Sequence, residues 1–121
     1  MVKVINLPDF EDMYSRLEAI KEVGLNKLLM AQEIEEKEAE VVMVVTTEEK
    51  YFIGGKSPSM AHISRTYLVT GLDDTGILPE MRRVYAHQCA EYEYLKMRFD
   101  LDKIAIDVWR TQSANERKAI D

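Results

Sequence analysis

The string YFIGGKSPS, from Tyr51 to Ser59, brings together the residue types of an anion site. Gly54 and Gly55 free the backbone to turn its N–H groups toward a ligand, and Lys56 supplies a positive charge. Ser57 with Pro58 is a helix start, which would aim further N–H groups at the same place, and Arg65 follows one to two turns later. The spacing departs from a Walker A loop, which needs a glycine where Lys50 stands. Two readings stay open for Gly54, Gly55, Lys56, Ser57 and Arg65: a phosphate or nucleotide cradle, and a loop whose glycines serve backbone geometry alone.

A second set of residues interleaves basic and aromatic side chains, as surfaces for single-stranded nucleic acid do: Arg82, Arg83, Tyr85, His87, Tyr92, Tyr94, Lys96, Arg98 and Phe99. Arg82 and Arg83, with Arg117 and Lys118 near the end of the chain, are the best candidates for phosphate contacts. Spacing argues the other way, because the aromatic residues fall into apolar series that packing explains. Glu91 and Glu93 lie among them, and Lys96 with Asp100 and Arg98 with Asp102 are placed to pair at i,i+4. A formal net charge of −6 also weakens any affinity driven by phosphate.

Catalytic constellations are sparse. His87 and Glu91 share a helix face at i,i+4 and could hold a metal or exchange a proton, but no third ligand accompanies them. Cys89, two positions from His87, points elsewhere on a helix, and His62 stands alone. The expectation is a protein without catalytic residues, metal or cofactor.

The element that must position most of these residues is one long helix, expected over 79–113. An apolar series runs Met81, Tyr85, Gln88, Tyr92, Leu95, Phe99, Asp102, Ile106 and Trp109 at alternating spacings of four and three, polar only at Gln88 and Asp102. A second series, Ala90, Tyr94, Met97, Leu101, Ile104 and Val108, keeps that rhythm on a face turned by roughly 200°. Both faces call for cover. A helix of 35 residues is about 52 Å long, whereas a compact chain of this length has a radius of gyration of about 14 Å. The helix is therefore expected to carry an oligomer interface through Tyr92, Leu95, Phe99, Ile106 and Trp109, with Phe99 and Trp109 as anchors. A break near Phe99 or Asp100 would instead give two ordinary core helices, but no Gly or Pro interrupts the run.

Upstream, the excess acid is concentrated. Residues 1–50 hold 12 Asp and Glu against 6 Lys and Arg, and the remaining residues are balanced at 10 against 10. Much of it lies in QEIEEKEAE, where Glu33, Glu35, Glu36, Glu38 and Glu40 flank Lys37, as a solvated helix face or a docking patch for a basic partner. Val2 to Ile5 reads as a short edge strand. Asp9 is a candidate N-cap, and Phe10, Met13, Tyr14, Leu17 and Ile20 follow at helical spacing. Gly24 suggests a C-cap, giving two helical segments across 1–40 or one helix bent there.

Val41 to Val45 is continuously apolar and four-fifths β-branched, which predicts a strand; with Lys50 to Ile53 it forms an expected β-hairpin over 41–55. A short helix over 57–71 would end at Gly71, Asp73 to Gly76 would turn, and Ser113 with Glu116 would cap a separate tail over 114–121. The expected fold is α+β and mainly helical, in a single domain.

The chain has 121 residues, 46% of them hydrophobic, as in an ordinary globular domain. No apolar run approaches the ~20 residues of a membrane span, and no basic region with an apolar signal core opens the sequence. A cytoplasmic location is expected. Cys89 is the only cysteine, so no internal disulfide forms.

The segment AEYEYLKMRFDLDKIAIDVWRTQSANERKA resembles the tails of small bacteriophage early-region proteins, with their Ala-Glu-Tyr-Glu-Tyr-Leu-Lys type helix and a Trp-Arg followed by Ser-Ala-Asn-Glu-Arg. The resemblance covers about the last quarter of the chain and implies a phage or prophage accessory protein in the bacterial cytoplasm, with no catalytic residue to carry over. The leading functional reading is a non-enzymatic homo-oligomer that binds another macromolecule, a protein partner first. The alternatives are a nucleotide or phosphate binder built on the Gly-Gly-Lys-Ser turn and a single-stranded nucleic-acid or recombination accessory protein.

Overall fold

The computed structural model describes residues 9–72 and 76–120, and the expected strand at Val2 to Ile5 lies outside them. Among the described residues the elements are α1 (Phe10–Thr47), a single 3-10 turn (Glu49–Tyr51), α2 (Met60–Thr66) and α3 (Ile77–Ile120). Contacts divide the chain into two units. One joins the described residues up to Gly24 with those from Ala90 onward, and the other is Leu25–Cys89.

Helix α1 begins where the sequence places its cap. The Asp9 side chain accepts from the Glu11 N–H at 2.9 Å and its carbonyl from Met13 at 3.0 Å, with Glu11 and Asp12 complementing the positive end of the helix. The helix then runs unbroken through Gly24. A Cβ built on Gly24 would lie 3.2 Å from the Tyr92 ring, so this glycine gives α3 close access to α1 and is not a cap.

The β-hairpin expected over 41–55 is absent, and no strand or sheet occurs among the described residues, so the fold is mainly helical and not α+β. Val41 to Val45 belongs to the last turns of α1. Four β-branched residues in a helix cost about 2 kcal/mol relative to alanine. Val41 and Val45, at i,i+4, are 2% and 0% exposed, and burying each contributes about 1.5–3 kcal/mol. Extending a helix already nucleated is also easier than starting a two-stranded ribbon that is marginal alone. Thr46 and Thr47, expected as a turn, donate to the carbonyls of Val42 at 2.7 Å and Met43 at 2.6 Å, which satisfies their hydroxyls within the last turns of the helix. The segment expected as the second strand forms the 3-10 turn, and its only sheet-like feature is an antiparallel bridge between Ile53 and Lys56.

The second unit has a small core of Val41, Val45, Ile63 and Leu78, joined by Tyr51, Tyr67, Leu68, Leu72 and Met81. Helix α2 is shorter than the expected 57–71. Its N-cap is Ser59, whose hydroxyl accepts from His62 at 3.2 Å, and it closes at Tyr67, ahead of Gly71. Helix α3 opens at Gly76, whose carbonyl accepts from Glu80 at 3.1 Å; Pro79 sits in the first turn, where its missing N–H is not needed. It passes through Phe99 and Ser113 without a break, so the expected tail is the end of α3.

In the first unit α1 packs against α3 around one polar pair. Asp102, 9% exposed, is the single buried residue among those described in this unit. Its carboxylate accepts from Arg16 Nε at 2.8 Å and Nη2 at 3.1 Å, a two-point contact that fixes both position and orientation. Replacing Asp102 by Ala leaves the guanidinium of Arg16 unpaired, and we expect a loss of about 3 kcal/mol in urea unfolding. The double variant Arg16→Met with Asp102→Leu should recover most of that loss.

Candidate interaction surface

Helix α3 presents two different faces in the first unit. Tyr92, Leu95, Phe99 and Ile106 are half-buried and share the face of Asp102, and Trp109 is 37% exposed. Phe99 meets Phe10, Met13, Tyr14 and Leu17 of α1 around an apolar cavity of about 210 Å³. The residues expected to form an oligomer interface thus lie on the face of α3 that packs within the chain. On the other face Tyr94, Met97, Leu101 and Ile104 are 57%, 53%, 49% and 57% exposed, with Ala90 exposed and Val108 half-buried. Met97, Leu101 and Ile104 line an open groove of about 320 Å³ together with Glu93, Lys96 and Asp100. Four large apolar side chains at three- and four-residue spacing make a continuous stripe of the kind that marks an interaction site. Its sequence signal was the second apolar series.

The segment expected as an anion cradle is a tight turn. Gly54 and Gly55 have φ of 60° and 78°, and Ile53 and Lys56 exchange N–H···O bonds of 2.8 and 3.2 Å across them. Positive φ at both central residues is what a two-residue hairpin turn requires, and glycine meets it without strain. Ser57 and Lys56 are exposed. Arg65 donates to the Ala61 carbonyl of its own helix at 3.3 Å. In this arrangement the glycines have a backbone role.

The basic candidates separate into two kinds. Arg82 donates to the Val69 carbonyl at 2.9 Å, to the Leu68 carbonyl, and to Glu38 Oε1 at 3.0 Å. Its guanidinium ties the turn after α2 and the acidic stretch of α1 to the start of α3, a role with no signal in the local sequence. Arg83 pairs with Glu80 one turn back. Arg117 and Lys118 are exposed in the last turn of α3, where cations complement the helix dipole. Of the acidic stretch, Glu38 is engaged by Arg82 and Lys37 lies 3.7 Å from Glu40, while Glu33, Glu35 and Glu36 face solvent.

His87 and Glu91 are both exposed, and no cluster of three or more metal-ligating side chains occurs among the described residues. Hydrogen bonding to Cys89 one turn on pushes the Tyr85 phenol above its ordinary range. His62 stacks edge-on against Tyr67 at 6.0 Å. No helix among the described residues is long and apolar enough to cross a membrane.

No family model, curated protein or solved structure matches the chain. The surface must therefore be read from its own geometry. Arg82→Ala should lower the unfolding free energy by about 2 kcal/mol, because two carbonyls and a carboxylate lose a charged donor. Arg82→Lys should recover only part of it, lacking the planar fork; chemical denaturation followed by circular dichroism measures both.

Proposed function

We propose that this protein is a non-enzymatic accessory protein that self-associates and acts by binding another macromolecule. The observation that carries the reading is the uncovered stripe on α3: Tyr94, Met97, Leu101 and Ile104 stand about half exposed in heptad-like register on one face of a helix whose opposite face packs on α1. A soluble monomer rarely leaves such a stripe to water. A second exposed set in the other unit, Leu25, Leu28 and Leu29 at 58%, 68% and 47%, offers a further apolar contact on α1. The solvent-facing Glu33, Glu35 and Glu36 give that helix an acidic surface suited to a basic partner. A bacterial host and its cytoplasm are the proposed setting, a reading supported by the resemblance of the last quarter of the chain to bacteriophage early-region proteins.

Size-exclusion chromatography with multi-angle light scattering tests the reading. At micromolar concentration the mass should be an integral multiple of 14.0 kDa. A stable species at the monomer mass would reject it.

A further inference from the structure

The charged residues beside the α3 stripe indicate what covers it. Glu93, Lys96, Asp100, Lys103, Asp107 and Arg110 follow one another at spacings of three and four and alternate in sign along the whole row. They run along one flank of the stripe formed by Tyr94, Met97, Leu101, Ile104 and Val108, about 100° or more around the helix from it, between the stripe and the face of Tyr92 and Phe99. The order of signs is self-complementary on reversal. When the row is laid against a second copy running the opposite way, Glu93 meets Arg110 of that copy, Lys96 meets its Asp107, and Asp100 meets its Lys103; the other three contacts follow by symmetry. A parallel copy would instead set the row against Arg98, Ala105 and Gln112, which carry one charge among them.

Resting on the reading above, we infer that the stripe is covered by a second copy of the chain, with the two α3 helices antiparallel about a two-fold axis between residues 101 and 102. The apolar side chains supply the affinity and the charged row sets the direction. Half-exposed side chains of this size with the stems of the flanking residues offer roughly 600 Å² per copy, the lower end of a stable interface. The Lys96 and Lys103 ammonium groups lie over the rings of Tyr92 and Phe99, each 5.5 Å from the centroid, and exposed contacts of this kind exchange for an ion pair at little cost. Lys103 lies 3.1 Å from Asp100 within one helix, but both side chains are more than half exposed, and such a pair exchanges partners at little cost.

Light scattering and analytical ultracentrifugation of charge variants test the inference, with circular dichroism to show that each variant stays folded. D100K alone and K103D alone each set like charges against each other twice at the two-fold axis. Each should raise the dissociation constant about tenfold or more, and less so in high salt. An equimolar mixture of the two should associate again, because a copy with two lysines meets a copy with two aspartates. The double variant D100K/K103D should self-associate like the native chain, and L101E should abolish association. If the native chain is oligomeric but L101E or the charge variants leave it so, the stripe is not the interface, and the inference fails while the broader reading stands. Loss of association in both single variants without recovery in the mixture rejects the antiparallel pairing. A native chain that is monomeric rejects both.

Discussion

The carboxylate of Asp102 is the point on which the first unit turns. It is buried, it is charged, and the two-point contact with Arg16 is what makes its burial tolerable. Sliding either helix by one turn would separate the pair and leave a charge in an apolar surrounding, so the contact selects one register among several that half-buried Tyr92, Leu95, Phe99 and Ile106 would accept. No apolar side chain among the described residues of this unit is fully buried. The ion pair defines the arrangement more than it stabilises it, and the apolar surface on the outer side of α3 stays exposed.

The second unit solves the same problem differently. Val41, Val45, Ile63 and Leu78 close a small apolar core. Arg82 then takes up carbonyls of the turn after α2 that have no helix of their own to bond to. Glu38 completes that cluster, which withdraws one carboxylate from an otherwise solvent-facing acidic surface. Glu38 therefore serves the packing of this unit, while Glu33, Glu35 and Glu36 of the same charged stretch stay on the surface.

Much of this was legible in the residues. The Asp9 cap, the helical spacing from Phe10 to Ile20, and the long two-faced helix all follow from local spacing, and the two apolar series of α3 correspond to its inner and outer faces. The hairpin was misread because β-branched residues favour strands by tenths of a kcal/mol each, while burial of Val41 and Val45 is worth several times more and depends on partners distant in sequence. Gly24 looked like a cap because a glycine near a helix end and a glycine beneath a tyrosine ring are identical in sequence; only the approach of Tyr92 tells them apart. The same limit hid the structural roles of Arg16 and Arg82, whose partners lie 86 and 44 residues away. The positive φ of Gly54 and Gly55 accounts for glycine at both positions through backbone geometry, the second of the two readings that the sequence left open.

Helix α3 is proposed to use one face within the chain and the other against an antiparallel copy. A direct test is the distance between nitroxides placed at Arg117 of each copy, by Arg117→Cys in a Cys89→Ser background, read by pulsed electron paramagnetic resonance. Arg117 is exposed near the end of α3 and outside the stripe. The antiparallel pair places the two labels about 45 Å apart. A separation below about 20 Å, as parallel helices would give, or the absence of any dipolar coupling, would contradict the account.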